Sequence, residues 1–86
     1  MQLNIDQKKK LKMQAHSLKP VVSIGGKGLT DAVKAELDIA LTAHELIKVK
    51  IAADRDERKV IYEKIAKDLN AECVQLIGQM GVFFRK

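Results

Sequence analysis

Tryptophan is absent from this chain, and cysteine, proline and tyrosine occur once each, as Cys73, Pro20 and Tyr62. A single cysteine excludes a disulfide framework within the chain and any zinc site built from several cysteines. Cys73 falls in a strand-like run and is expected to be buried and inert, because free cysteine is among the most buried residue types. No stretch approaches the ~18 apolar residues of a membrane-spanning helix. The first residues lack an apolar segment followed by small side chains, so no export signal is expected and the cytoplasm is the expected compartment. Carboxylates are scarce at one end only. Residues 1–30 hold Lys8, Lys9, Lys10, Lys12, Lys19 and Lys27 against Asp6 alone, whereas residues 31–86 hold ten basic and ten acidic side chains.

What is present describes one small folded domain spanning 1–86. An apolar fraction of 47% with 31% charged residues belongs to a globular chain. A chain of this length buries only roughly 60 to 65% of the surface it exposes when unfolded, so a deep enclosed active site is not expected. The net charge of +5 lies entirely in the first third. A basic face concentrated in this way calls for a polyanionic partner.

The helical and extended patterns alternate. Residues 4–18 read as a helix, with Asn4 as N-cap and Gln7 placed to reach back to it. Leu11, Ala15 and Leu18 form its narrow apolar stripe. At ~100° per residue, Lys8, Lys9, Lys12 and His16 occupy one arc beside that stripe, while Lys10 points elsewhere. Pro20 stops this helix, and Val21 to Ile24 form a strand. Thr30 caps a second helix carrying Val33, Leu37, Ala40, Leu41 and His44 on one face and Lys34, Asp38 and Thr42 on the other. Leu46 to Ala52 alternates as a half-buried strand, with Lys48 and Lys50 on the side away from Ile47, Val49 and Ile51 and assigned to the wet face of a sheet. Asp54 and Glu57 cap a third helix with Ile61, Ile65 and Leu69 inside, and Asn70 suits its left-handed end. Cys73 to Ile77 and Val82 to Phe84 read as a hairpin around Gly78 to Gly81, with Phe83 and Phe84 on opposite faces.

Between the first strand and second helix stands Gly25-Gly26-Lys27-Gly28-Leu29-Thr30. Glycines at a strand-to-helix corner let backbone N–H groups approach a ligand, and the following helix aims its positive end at the same place. Lys27 adds a charge at the tip. A P-loop would need glycine at Val21 and Ser or Thr at Gly28, and a dinucleotide fingerprint would need glycine at Asp31, so both patterns fail. Gly25 to Gly28 remains as Gly-x-x-Gly, the short form that grips a nucleic-acid backbone in KH-type domains. With Tyr62, Phe83 and Phe84 as the only aromatic residues, affinity is expected from backbone and shape contacts more than from stacking.

No nucleophile has a base placed by the sequence, and neither His16 nor His44 has carboxylate or cysteine partners at ligand spacing. The expectation is therefore no catalytic residue, no metal and no cofactor. Asp54, Asp56 and Glu57 are explained as acids at a helix N-terminus.

Leu11-Lys12 with Ala15-His16, Leu18 to Val22, Gly25 to Thr30, Glu45 to Ile51 and Phe84-Arg85 together resemble the YhbY group over essentially the whole chain. These are stand-alone bacterial CRM domains, the chloroplast RNA splicing and ribosome maturation module. Gln79 and Phe84 depart from the lysine and tyrosine common there, and the hairpin is assigned no RNA contact. The resemblance implies an α+β two-layer fold of order α-β-α-β-α-β-β, with a four-stranded mixed sheet similar to the C-terminal domain of translation initiation factor three. In that arrangement the first two strands are parallel and the last is antiparallel to its neighbours. It also implies an RNA-binding, non-catalytic domain that acts on ribosomal RNA in precursors of the large subunit, and a monomer is expected. The RNA-facing set is then Gly25, Gly26, Lys27 and Gly28 with Lys8, Lys9, Lys12 and His16. The alternative is an adaptor whose basic face meets an acidic or ribosomal protein.

Overall fold

The computed structural model describes residues 3–86. The elements follow in the order α1 (Ile5–Ala15), β1 (Val22–Ile24), α2 (Asp31–His44), β2 (Leu46–Ile51), α3 (Arg55–Asp68), β3 (Glu72–Ile77) and β4 (Met80–Phe84). One four-stranded sheet has the order β1-β2-β4-β3. β1 and β2 are parallel, and β4 runs antiparallel to both β2 and β3. The fold is the mixed α+β sheet that the sequence implies.

All three helices start where their capping residues stand. The Asn4 side chain accepts from the Gln7 N–H at 2.8 Å while the Gln7 side chain accepts from the Asn4 N–H at 3.0 Å. Thr30 and Asp54 accept from Val33 and Glu57 at 3.2 and 2.9 Å. Each bond satisfies an N–H that the helix itself leaves unpaired. α1 ends three residues before the expected boundary. The His16 N–H bonds to the Met13 carbonyl, the Leu18 N–H to the Ala15 carbonyl, and the Ser17 hydroxyl to the Gln14 carbonyl. These tight local bonds use up the last carbonyls of the helix ahead of Pro20. Leu18 is left 36% exposed beyond the stripe it was expected to extend.

Alternation along β2 divides the molecule. Ile47, Val49 and Ile51 are fully buried with Ile24, Phe83, Leu37 and Leu41 of α2, and Ile65 of α3. The opposite face of the sheet packs a smaller cluster in which Leu11 and Ala15 of α1 meet Leu46, Val74, Val82 and Phe84. Helices therefore lie on both faces, whereas two layers were expected. Phe84 points away from Phe83, as alternation requires, but it is half-covered by α1 and does not lie on a bare face.

The hairpin turn is shorter than expected. Ile77 pairs directly with Met80, leaving Gly78-Gln79 as the loop, with Gly78 at φ 55°. A two-residue hairpin favours glycine with positive φ at its first position. Gly81 belongs to β4, where a Cβ would stand 3.0 Å from the Tyr62 ring, so the glycine admits that ring onto the strand. Tyr62 in turn meets Phe83 with ring centroids 4.9 Å apart and lies beside half-buried Cys73. Burial, first, and then the Cys73 contact push the Tyr62 hydroxyl well above the usual phenol range, and burial raises the Cys73 thiol. Cys73 is only half-buried where full burial was expected.

The polar side of α2 is bonded to the rest of the protein. The Arg85 guanidinium donates to the Asp38 carboxylate at 2.7 Å, the Asp38 carbonyl at 3.0 Å, the Thr42 hydroxyl at 2.9 Å and the Leu69 carbonyl at 2.9 Å. Lys34 pairs with Asp68 of α3 at 3.0 Å, and this bond holds the Asp68 carboxyl below its usual range. Arg85→Ala should destabilise the fold by about 2 kcal/mol, since hydrogen bonds to charged groups are lost but the carboxylate partner is largely solvated. Urea denaturation checks this. An unchanged midpoint would mean that the clasp contributes nothing to stability.

Candidate nucleic-acid interface

β1 runs straight into the glycine corner. The Gly28 N–H donates to the Gly25 carbonyl at 3.0 Å and closes a four-residue turn, with Gly28 at φ 68°. This left-handed backbone is the one place where the corner's fold needs glycine. A Cβ at Gly25 or Gly26 would meet nothing within 4 Å, and neither has positive φ. Their lack of side chains leaves the backbone open to whatever approaches. Lys27 is exposed at the tip.

The corner leans on α3. Gly26, Lys27 and Gly28 line a shallow depression with Asp56, Glu57, Val60 and Ile61. The two carboxylates oppose an anion on that side. Lys27 is the one cation among the residues that line the depression.

The expected arc on α1 divides. Lys9 is exposed, and Lys8 is half-buried near the start of β3, where it and Glu72 both act on Cys73. Lys12 and His16 border a groove between α1 and the sheet, together with Lys48 and Gln75. Lys10 lies on the other flank of α1 beside Glu45 and Phe84, as the helical angle requires.

The corner and the α1 lysines do not share one pocket. The corner sits at the far end of β1 against α3, and α1 crosses the opposite face of the sheet. Between them lie Lys48 and Lys50, which share the α1 side of β2, opposite the face of Ile47 and Val49, where the alternation of the strand puts them. Lys50 is aligned with Ser23 on β1 and with Met80 on β4, two residues short of Gly25. At ~3.3 Å per residue, Gly25 lies about 13 Å along the strands from the level of Lys48. Lys12, His16, Lys48 and Lys50 thus form a basic strip on the α1 face of the sheet.

Among the described residues, no group of three His, Cys, Asp or Glu side chains could hold a metal, and no helix is long and apolar enough to cross a membrane. What the strip offers chemically is positive charge, open backbone amides and no activated nucleophile.

The profile of the CRS1 / YhbY (CRM) domain matches residues 3–85. A protein of Pseudomonas aeruginosa named "probable RNA-binding protein" is 45% identical over 87 residues, covering 100% of this chain and 84% of that protein. One from Haemophilus influenzae named "RNA-binding protein" is 49% identical over 84 residues, covering 96% and 85%. The solution structure of a Staphylococcus aureus protein superposes with a TM-score of 0.87 at 32% identity, covering 99% of this chain and 90% of that one. The glycine corner, the basic helix and the mixed sheet therefore sit in a chain that belongs to the CRS1 / YhbY (CRM) domain family.

Proposed function

We propose that this protein binds structured ribosomal RNA through backbone phosphates and acts, without catalysis, in assembly of the large ribosomal subunit. The observation that carries the reading is the group of Lys12, His16, Lys48 and Lys50 on the α1 face of the sheet, with Lys50 aligned two residues short of the open glycine turn. Its support from relatives is their naming as RNA-binding proteins. The ribosomal and large-subunit assignment rests on the YhbY resemblance; the proposal takes the protein to be a monomer in the cytoplasm.

In this proposal the open amides of Gly25 and Gly26 hold one phosphate, Gly28 shapes the turn by donating to the Gly25 carbonyl, and Lys27 neutralises the charge. Lys9 and Lys12 hold others, His16 donates a hydrogen bond, and half-buried Lys8 contributes less. Capture of large-subunit precursor particles by the tagged protein tests the assembly role. Binding that survives nuclease treatment would instead favour docking on a ribosomal protein.

With about four phosphates neutralised, log K should fall against log salt with a slope near −3, at ~0.7 per contact on single strands. Lys12→Ala and Lys27→Ala should each flatten that slope, and Lys8→Ala should flatten it less. Titrations at several salt concentrations check this, and lost affinity at constant slope would remove the phosphate role.

Gly26→Asp should weaken RNA binding while leaving the melting temperature nearly unchanged, because nothing surrounds the new Cβ. Gly28→Ala should cost about 1 kcal/mol of stability through its left-handed backbone. Glu57→Gln should tighten binding by removing a carboxylate beside the turn. Paired thermal melts and RNA titrations read all three, and a Gly26→Asp protein that binds normally would take the corner out of the interface.

A further inference from the structure

Lys48 stands between two depressions that flank the end of α1, and neither is lined by a carboxylate. Three further depressions mix signs: Glu45 with Lys10, Asp56 and Glu63 with Arg55, and Asp56 and Glu57 with Lys27 at the glycine corner. The two acid-free hollows suit an anionic chain better than these three. The smaller, of about 180 Å³, lies between α1 and the sheet. Buried Ala15 and Val82 form its floor, and half-buried Met80 and exposed Ile77 extend the apolar surface. Lys12, His16, Lys48 and Gln75 supply its polar groups.

We propose that this groove takes one unpaired nucleobase of an RNA strand, with the adjoining phosphates on Lys12 and Lys48. The site rests on the RNA-binding role proposed above and adds to it a contact with a base. An apolar cavity of about 150 Å³ admits a benzene ring, so the groove has room for one heteroaromatic ring. Its floor offers the apolar contact that a base face needs once out of water. The Gln75 amide presents both a donor and an acceptor, the pairing that a base edge displays. Lys12 and Lys48 stand where the charged backbone on either side of that base would run. Lys50 and Ser23 then lead the strand to the Gly25–Gly28 turn, about 13 Å further along β1. A nucleotide held here sets the register of the phosphates that the turn receives. An acidic peptide would use the lysines but would gain nothing from a groove sized for a ring.

The test compares three probes by fluorescence anisotropy: an oligouridine of about eight nucleotides, an abasic ribose-phosphate chain of the same length and charge, and a fully paired RNA stem. The wild-type protein should bind the oligouridine at least ~10-fold more tightly than the abasic chain, in line with the worth of one buried base contact. In Met80→Ala/Gln75→Ala that ratio should fall to within about twofold. Should the double variant not fold, Gln75→Ala alone is read, since Gln75 lies on an edge strand outside both apolar clusters. Equal binding of the two single-stranded probes by the wild-type protein, or a ratio that the variants do not change, overturns the base site. Binding of the stem with neither single-stranded probe overturns the base site and leaves the phosphate reading standing. Binding of no RNA at all removes both.

Discussion

The period-two alternation of β2 is the constraint on which the rest of the molecule depends. Ile47, Val49 and Ile51 must turn to one side to fill the core under α2 and α3. The backbone then leaves Leu46, Lys48 and Lys50 no choice of face, because a slip of one residue would bury two ammonium groups. The same constraint fixes where α1 packs, since Leu46 belongs to the apolar patch that Leu11 and Ala15 cover. Hydrophobic burial on one side of the sheet thus decides where positive charge stands on the other. The basic face is a by-product of the core's register, left open because α1 covers only part of that side of the sheet.

Charge placement follows from what each element needs locally. Carboxylates gather where helices begin or where a cation must be held: Asp31, Asp54, Asp56 and Glu57 in first turns or caps, Asp38 on Arg85, and Asp68 on Lys34. Those duties keep these six on the α2 and α3 side. The hollow lined by Lys12, His16 and Lys48 has no carboxylate in its lining.

How much of this was legible in the sequence depends on distance along the chain. The helix starts at Asn4, Thr30 and Asp54, the opposite facing of Phe83 and Phe84 and the left-handed Asn70 are settled by neighbours within a few residues, and all are as read. The exit from α2 is not. Glu45 takes φ 63°, a conformation that a glycine would announce, and its carbonyl accepts the Arg85 N–H at 2.9 Å. That bond and the Arg85 clasp join residues some forty positions apart, so no local pattern reveals them. The glycine corner was recognised as open backbone, but its contact with α3 comes from the crossover between parallel strands. The sequence could name Asp56 and Glu57 only as caps, whereas their place beside Gly26 and Gly28 is a fact of topology.

The position of β4 bears on how the domain is made. It is last in sequence among the four strands yet lies between β2 and β3, so neither inner pairing exists until it arrives. A nascent chain can form α2 and lay β1 against β2 early, but the sheet remains split until residue 84 is free to insert. Such non-local closure slows folding relative to a chain built from nearby contacts. Until then β2 presents an unpaired edge with three large aliphatic side chains, a surface that invites association with another unfinished chain. Docking of β4 covers that edge and joins the two halves of the sheet at once.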